Sequence, residues 1–165
     1  MGKLAVTALR AVLAVLLAGS LFVQGVMVPL LATDMNGLRP EYAHLRTPVL
    51  VILVLGVVAA QVVLVCVWRL VTMVRRGTVF STGAFRYVHL VIGAFVAAAC
   101  LVFALGVVLA PGEAVAPGVV LLLGGAGVAV LGVALVVLVL RMLLAQAVAR
   151  DIEAARMRAE LEEVI

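Results

Sequence analysis

Four blocks of apolar residues alternate with short polar stretches along this chain. A bilayer's hydrocarbon core of about 30 Å takes about 20 helical residues to cross. Each block is about that long, and together they predict spans over 11–32, 48–70, 86–109 and 118–141. Lys3 and Arg10 precede the first block, as basic residues precede a cleavable signal core. Ala18-Gly19-Ser20 even offers small residues for cleavage. The apolar run continues through Leu21, Phe22, Val23, Val26, Met27, Val28, Leu30 and Leu31, however, which favours a retained helix.

The polar stretch from Thr33 to Thr47 carries a turn signal at Asn36-Gly37. Pro40 is placed to open a short interfacial helix bearing Tyr42 and His44. Trp68 and Arg69 close the second block with an amphipathic ring and a charge, which suit the headgroup level. Gly77 is a stop signal after Arg75-Arg76. Ser81 reads as an N-cap for the third helix, with Phe80 and Phe85 spaced as a hydrophobic staple. A Pro- and Gly-containing turn at 110–118 leads to the fourth block. From Arg141 to Glu163 there is no Gly or Pro, so the last helix is predicted to continue as an extension over 141–163.

The pattern thus predicts a single all-α membrane domain over 1–165, a bundle of four transmembrane helices with a C-terminal helical extension. Composition supports lipid as the solvent. Hydrophobic residues make up 67% and charged residues 12% of the chain, against about 45–50% and about 25% in soluble domains. A soluble core of this size has too little interior to hide that excess.

The net charge of +4 does not point to nucleic acid, because the basic residues flank the apolar blocks. They orient the chain instead. With both ends in the cytoplasm, Lys3, Arg10, Arg69, Arg75, Arg76, Arg86, Arg141, Arg150, Arg156 and Arg158 lie inside, against Arg39 and Arg46 outside. That asymmetry predicts a multi-pass membrane protein with cytoplasmic N and C termini.

Chemistry within the membrane is sparse. No ionisable group falls at mid-span, where transport and proton pumping usually need one, so a transporter subunit is a weak reading. Gln24 and Gln61 are the polar candidates. Each seeks an interhelical partner, worth about 0.6–2 kcal/mol. Structural glue is the simpler reading of the pair, and a polar spot on a ligand or ion path is the sharper one. Gly56-x-x-x-Ala60, Gly93-x-x-x-Ala97 and Gly125-x-x-x-Ala129 permit close helix approach and a homo-oligomer, but arise easily in a Gly- and Ala-rich chain.

Cys66 and Cys100 differ in expected depth by ~15 Å, too far for a disulfide, and read as small apolar fillers. His44 and His89 fall on opposite sides of the membrane, which rules out a haem held by both. Gly124-Gly125-Ala126-Gly127 lies inside an apolar block and reads as packing surface. No zinc-protease, Cys-His or nucleophile-elbow pattern occurs. No catalytic residue, cofactor or metal site is predicted, and the chain is not expected to be an enzyme.

The C-terminal extension is the more informative surface. Leu144, Val148, Ile152, Ala155 and Ala159 form one apolar stripe, expected to rest on residues 69–86. Arg156–Glu160 and Arg158–Glu162 are spaced as ion pairs. Glu160, Glu162 and Glu163 sit where a helix macrodipole disfavours negative charge. Either the end frays or the carboxylates find basic partners, from Arg75 and Arg76 or from another protein. Arg75, Arg76, Arg150, Arg156, Arg158, Glu160, Glu162 and Glu163 are therefore the candidate partner-binding residues.

Gly77-Thr78-Val79-Phe80-Ser81 before the third block resembles the G-x-x-F-s linker of a widespread bacterial family. The end of the chain resembles it too, from Leu143-Leu144-Ala145-Gln146-Ala147 to Glu160-Leu161-Glu162-Glu163-Val164-Ile165. That family comprises small four-span membrane proteins of unknown function with an E-L-x-x-V-I type terminus. The resemblance covers nearly the whole chain and carries over no catalytic or binding residue. Its members are often encoded beside a small helix-turn-helix regulator, which implies a membrane partner that holds or releases such a regulator. Eleven Arg against one Lys, with abundant Ala, Val and Leu, resembles the usage of a high-GC bacterium.

Two functions follow as expectations. In the first, a regulatory membrane protein binds or sequesters a small soluble transcriptional regulator on its cytoplasmic face. In the second, an immunity-type, channel-like or structural protein acts within the bilayer by oligomerising, and Gln24 and Gln61 matter more than the terminus.

Overall fold

The computed structural model describes residues 2–37, 43–75, 82–111 and 115–164. Helix α1 spans Gly2–Phe22 and passes through a π-helical turn, Val23–Met27, into α2, Val28–Asp34. A 3-10 turn, Met35–Gly37, follows. Helices α3 (Ala43–Arg75), α4 (Thr82–Leu109) and α5 (Pro117–Val164) complete the chain. Four stretches are long and apolar enough to cross a membrane: Leu4–Asp34, Ala43–Met73, Arg86–Leu109 and Pro117–Leu161. The protein is an all-α, multi-pass membrane protein, and an even number of crossings leaves both termini at one end of the bundle.

The break in the first span has a local cause. Pro29 has no N–H to donate, and its ring presses on the carbonyl four residues back, that of Gly25. The helix responds by widening. Val28 N–H bonds to the carbonyl of Val23, five residues back, which is the spacing of a π turn. Gln24 lies inside that turn.

Several helices run beyond the spans expected from the pattern. The first helix begins at Gly2, ahead of the span expected from residue 11, because nothing between Lys3 and Arg10 breaks a helix. The second begins at Ala43 rather than Pro48, with Pro48 inside it. Pro48 forfeits only the bond to His44, next to a helix start where donors are unpaired anyway. No separate interfacial helix carries His44, which stands in the first turn of α3; Pro40 and Tyr42 lie outside the described residues. Thr82 is the first residue of α4, one after Ser81. The capping and staple residues Phe80 and Ser81 lie outside the described residues, as does the Phe85 side chain. Pro117 opens α5 at a position that loses no bond.

Helix α4 is the centre of the bundle, packing closely against α3 on one side and α5 on the other, while α1 is held more loosely against α3. The core is built from small side chains: among its buried residues are Ala59, Cys66, Ala94, Ala99 and Ala134. Leu121, Leu122 and Val107 instead face outward, at 79%, 73% and 71% exposure. Lipid removes the usual reason to hide large apolar groups, so small residues line the contacts and let backbones approach. At Gly127 the Phe103 ring occupies the space a Cβ would need, with Cζ 3.0 Å from its position. Gly125 and Ala129 are exposed, and Gly56 with Ala60 and Gly93 with Ala97 line cavities rather than the tightest contacts. Cys66 is buried, Cys100 is exposed, and both are free thiols.

Candidate functional site

Two polar contacts join the first span (α1 and its π turn) to α3 at different depths. The first is near the middle of the span. Gln61 Nε2 donates to Gln24 Oε1 at 3.0 Å and to Ser20 Oγ at 3.2 Å. Ser20 Oγ in turn donates to the carbonyl of Leu17 at 2.8 Å. Gln24 and Ser20 are four residues apart, so a helix places them on one face. Gln61 stands on α3 among Ala59, Ala60 and Val63, small enough to let the amide reach across.

The second contact is toward the termini. Arg10 Nη2 donates to Thr72 Oγ1 at 2.8 Å, and its guanidinium lies 5.8 Å from the centre of the Trp68 ring. Thr72 Oγ1 is itself fixed by donating to the carbonyl of Trp68, also at 2.8 Å. A cation over an indole face is an attractive arrangement, and Arg10 keeps its charge near the headgroups while its stem lies along the helix. From Arg10 to Gln24, and from Thr72 to Gln61, the chain rises by about 17–21 Å. If Arg10 sits at the headgroup level, the amides lie deep in the hydrocarbon.

Cavities flank these contacts. One of about 440 Å³ is shared by all four spans, with Leu16 and Ser20 from α1, Gly56 from α3, Ala98 from α4 and Val130 from α5. A larger groove of about 720 Å³ runs between α3 and α4, apolar along Leu55, Val62 and Leu101, with Arg86 and His89 toward one end. His44 starts α3 and His89 lies near the start of the antiparallel α4, so they stand at opposite ends of the bundle. Among the described residues, no group of three or more His, Cys, Asp or Glu could hold a metal ion.

The third polar region is the end of α5. Phe103 meets Gly127, and Leu123 lies beside Gly106. That antiparallel register sets Thr82 opposite about residue 148, and the rest of α5 projects beyond the start of α4 by about 24 Å. Leu144, Ile152, Met157 and Leu161 are exposed at 48%, 65%, 54% and 65%. The apolar stripe is exposed at Leu144, Ile152, Ala155 and Ala159 and half-buried at Val148; part of the 69–86 segment on which it was expected to rest lies outside the described residues. Arg156 Nε meets Glu160 Oε1 at 3.3 Å, so Glu160 finds its basic partner one turn back in its own helix. Both side chains are well exposed, and such a pair is worth only about 0.3–0.5 kcal/mol.

The structure brings Gln24 and Gln61 together, and it places Arg150, Arg156, Arg158 and Glu160 on the exposed end of α5. Arg75 ends the described part of α3, and Glu162 and Glu163 lie in the last turn of α5; their side chains, and all of Arg76, lie outside the described residues. Ser20, Arg10, Thr72 and Trp68 were not predicted as a connected set. The four-residue spacing of Ser20 and Gln24 was a usable signal. The Arg10–Trp68 contact had a weaker one, a cation and an indole expected at the same membrane face.

A family model described as "Protein of unknown function (DUF2975)" matches residues 30–165. No curated protein and no solved structure matches the chain. A match over that much of the sequence, on a chain that forms four membrane-length helices, means that the protein belongs to DUF2975, a family of unknown function.

Proposed function

We propose that this protein is a non-catalytic regulator of the bacterial cytoplasmic membrane, with both ends cytoplasmic, that docks a small soluble transcriptional regulator on α5. The observation that carries the reading is the projecting end of α5. About 16 residues extend beyond the start of α4, presenting Ile152, Met157 and Leu161 beside Arg150, Arg156 and Arg158. A helix with exposed apolar and charged positions, held at a fixed distance from the membrane, suits a partner that binds a helix in a groove. The concentration of Arg at the end that holds both termini supports the orientation. The helix-turn-helix identity of the partner rests on the family resemblance, and the candidate surface adds Arg75, Arg76, Glu160, Glu162 and Glu163.

The test is a cross-linked pull-down from native membranes, comparing the full chain with one ending at Val148. Recovery of one small DNA-binding protein with the full chain alone supports the reading. Recovery of no soluble protein with either, or of the same protein with both, removes α5 as the dock.

The Gln24–Gln61 contact favours a second reading, that of an immunity-type, channel-like or structural protein acting within the bilayer. That reading expects truncation at Val148 to leave function intact and Gln61→Leu to abolish it.

A further inference from the structure

The amide pair between α1 and α3 has unused bonding capacity. Gln61 Nε2 donates to both Ser20 and Gln24. Among the described residues, no group bonds Gln61 Oε1 or Gln24 Nε2. Neither atom is enclosed within the chain. One acceptor and one donor of the pair are thus left over, about 17–21 Å along the helices from the Arg10–Thr72 level, and in hydrocarbon an unmet amide group is costly.

The surroundings show which way this pair faces. Leu21, one turn before Gln24, is 62% exposed, and Val65, one turn after Gln61, is 47% exposed. A Cβ added at Gly25, beside Gln24, would meet nothing within 4 Å. The pair therefore sits in an apolar face made jointly by α1 and α3, with room for another helix to approach.

We propose that this face binds a second copy of the chain through a closed ring of four amide hydrogen bonds. In each copy Gln61 Nε2 donates to Gln24 Oε1, as observed. Between copies, Gln24 Nε2 of each donates to Gln61 Oε1 of the other. A two-fold interface must be complementary to itself, and a leftover donor beside a leftover acceptor meets that requirement. The depth matches as well. Gln24 and Gln61 touch, so they lie at one level, and a two-fold axis along the membrane normal leaves every residue at its own level. A phospholipid headgroup does not reach this depth, whereas a second copy brings its amides there automatically. The interface involves neither α4 nor the end of α5, so it stands independently of the docking role proposed above.

The experiment uses the full chain labelled with donor or acceptor dyes and reconstituted in phosphatidylcholine vesicles, with energy transfer followed as the protein is diluted in lipid. Wild-type chains should associate as dimers, and Gln24→Leu or Gln61→Leu should each weaken association by about tenfold. Mixing the two variants is the sharper arm. Gln24 of the Q61L chain can still donate to Gln61 of the Q24L chain, so the mixture should associate more tightly than either variant alone. Val65→Trp leaves both amides in place and blocks the approach, which keeps the test alive if the leucine variants fold poorly by helix content and thermal melting. A chain ending at Val148 should dimerise like the full one, so failure of the docking role does not register here. Monomeric wild-type protein at every dilution, Q61L associating as wild type, or a mixture no tighter than its components would overturn the proposal.

Discussion

The seams on either side of α3 hold together by different means. Against α4, and from α4 to α5, the contacts are apolar and close: Ala59, Ala94, Ala99 and Ala134 are buried, and Phe103 lies over Gly127. Against α1 the packing is looser, and the seam is held at two levels by side-chain hydrogen bonds, Arg10 to Thr72 and Gln61 to Gln24 and Ser20. Small residues hold helices in lipid through dispersion over a long contact, which resists change in one orientation only. A few hydrogen bonds give less total contact, but in hydrocarbon each one sets the register strictly, because the alternative is an unpaired amide. The bundle thus has a closely packed three-helix part and a first helix packed more loosely, with side-chain hydrogen bonds at two levels.

Substitutions can break that contrast. The largest loss is expected at Gly127→Leu, because the Phe103 ring already fills the space. Overpacking should cost about 1–3 kcal/mol, measured by detergent-induced unfolding, and Phe103→Ala in the same chain should recover part of it. Next is Gln61→Leu, which removes both bonds to α1 and should cost about 1–2 kcal/mol. Here the sharper readout is the distance between labels on α1 and α3, which should broaden while that between α3 and α4 does not. If both distances broaden equally, the two seams are not independent.

Arg10→Gln should cost about 0.5–1 kcal/mol by losing the cation–indole contact. It should quench less on the Trp68 fluorescence, with no shift in the Gln24–Gln61 level. The smallest effect is expected at Arg156→Ala, about 0.3–0.5 kcal/mol. Hydrogen exchange should rise in the last turns of α5 and stay unchanged in the rest of the bundle; protection lost elsewhere would mean that the end of α5 is packed on the bundle.

Gln24 and Gln61 stood out in the sequence because an amide in an apolar block has few explanations. Ser20 did not, since a lone hydroxyl in a helix can bond its own backbone, as it does to Leu17. Pro29 lies unmarked inside an apolar block, and its consequence, a widened turn at Gln24, depends on how the whole helix relaxes around a missing donor. The apolar stripe on α5 was visible as periodicity, but periodicity describes one helix and does not say whether another helix is long enough to cover it. Here α4 begins too late to cover Ile152, Ala155 and Ala159.

The sequence by itself determined the four membrane-length helices and the continuous last helix, because hydrophobic length and the absence of breakers are properties of consecutive residues. It also marked the two amides that need partners. Only the tertiary structure decided that those partners are each other, that the Phe103 ring packs onto Gly127, and that Ile152, Met157 and Leu161 at the end of α5 stand exposed. The physical reason is that lipid rewards no particular helix face as water does. Which faces meet is settled by shape and by a few hydrogen bonds between residues far apart in the chain.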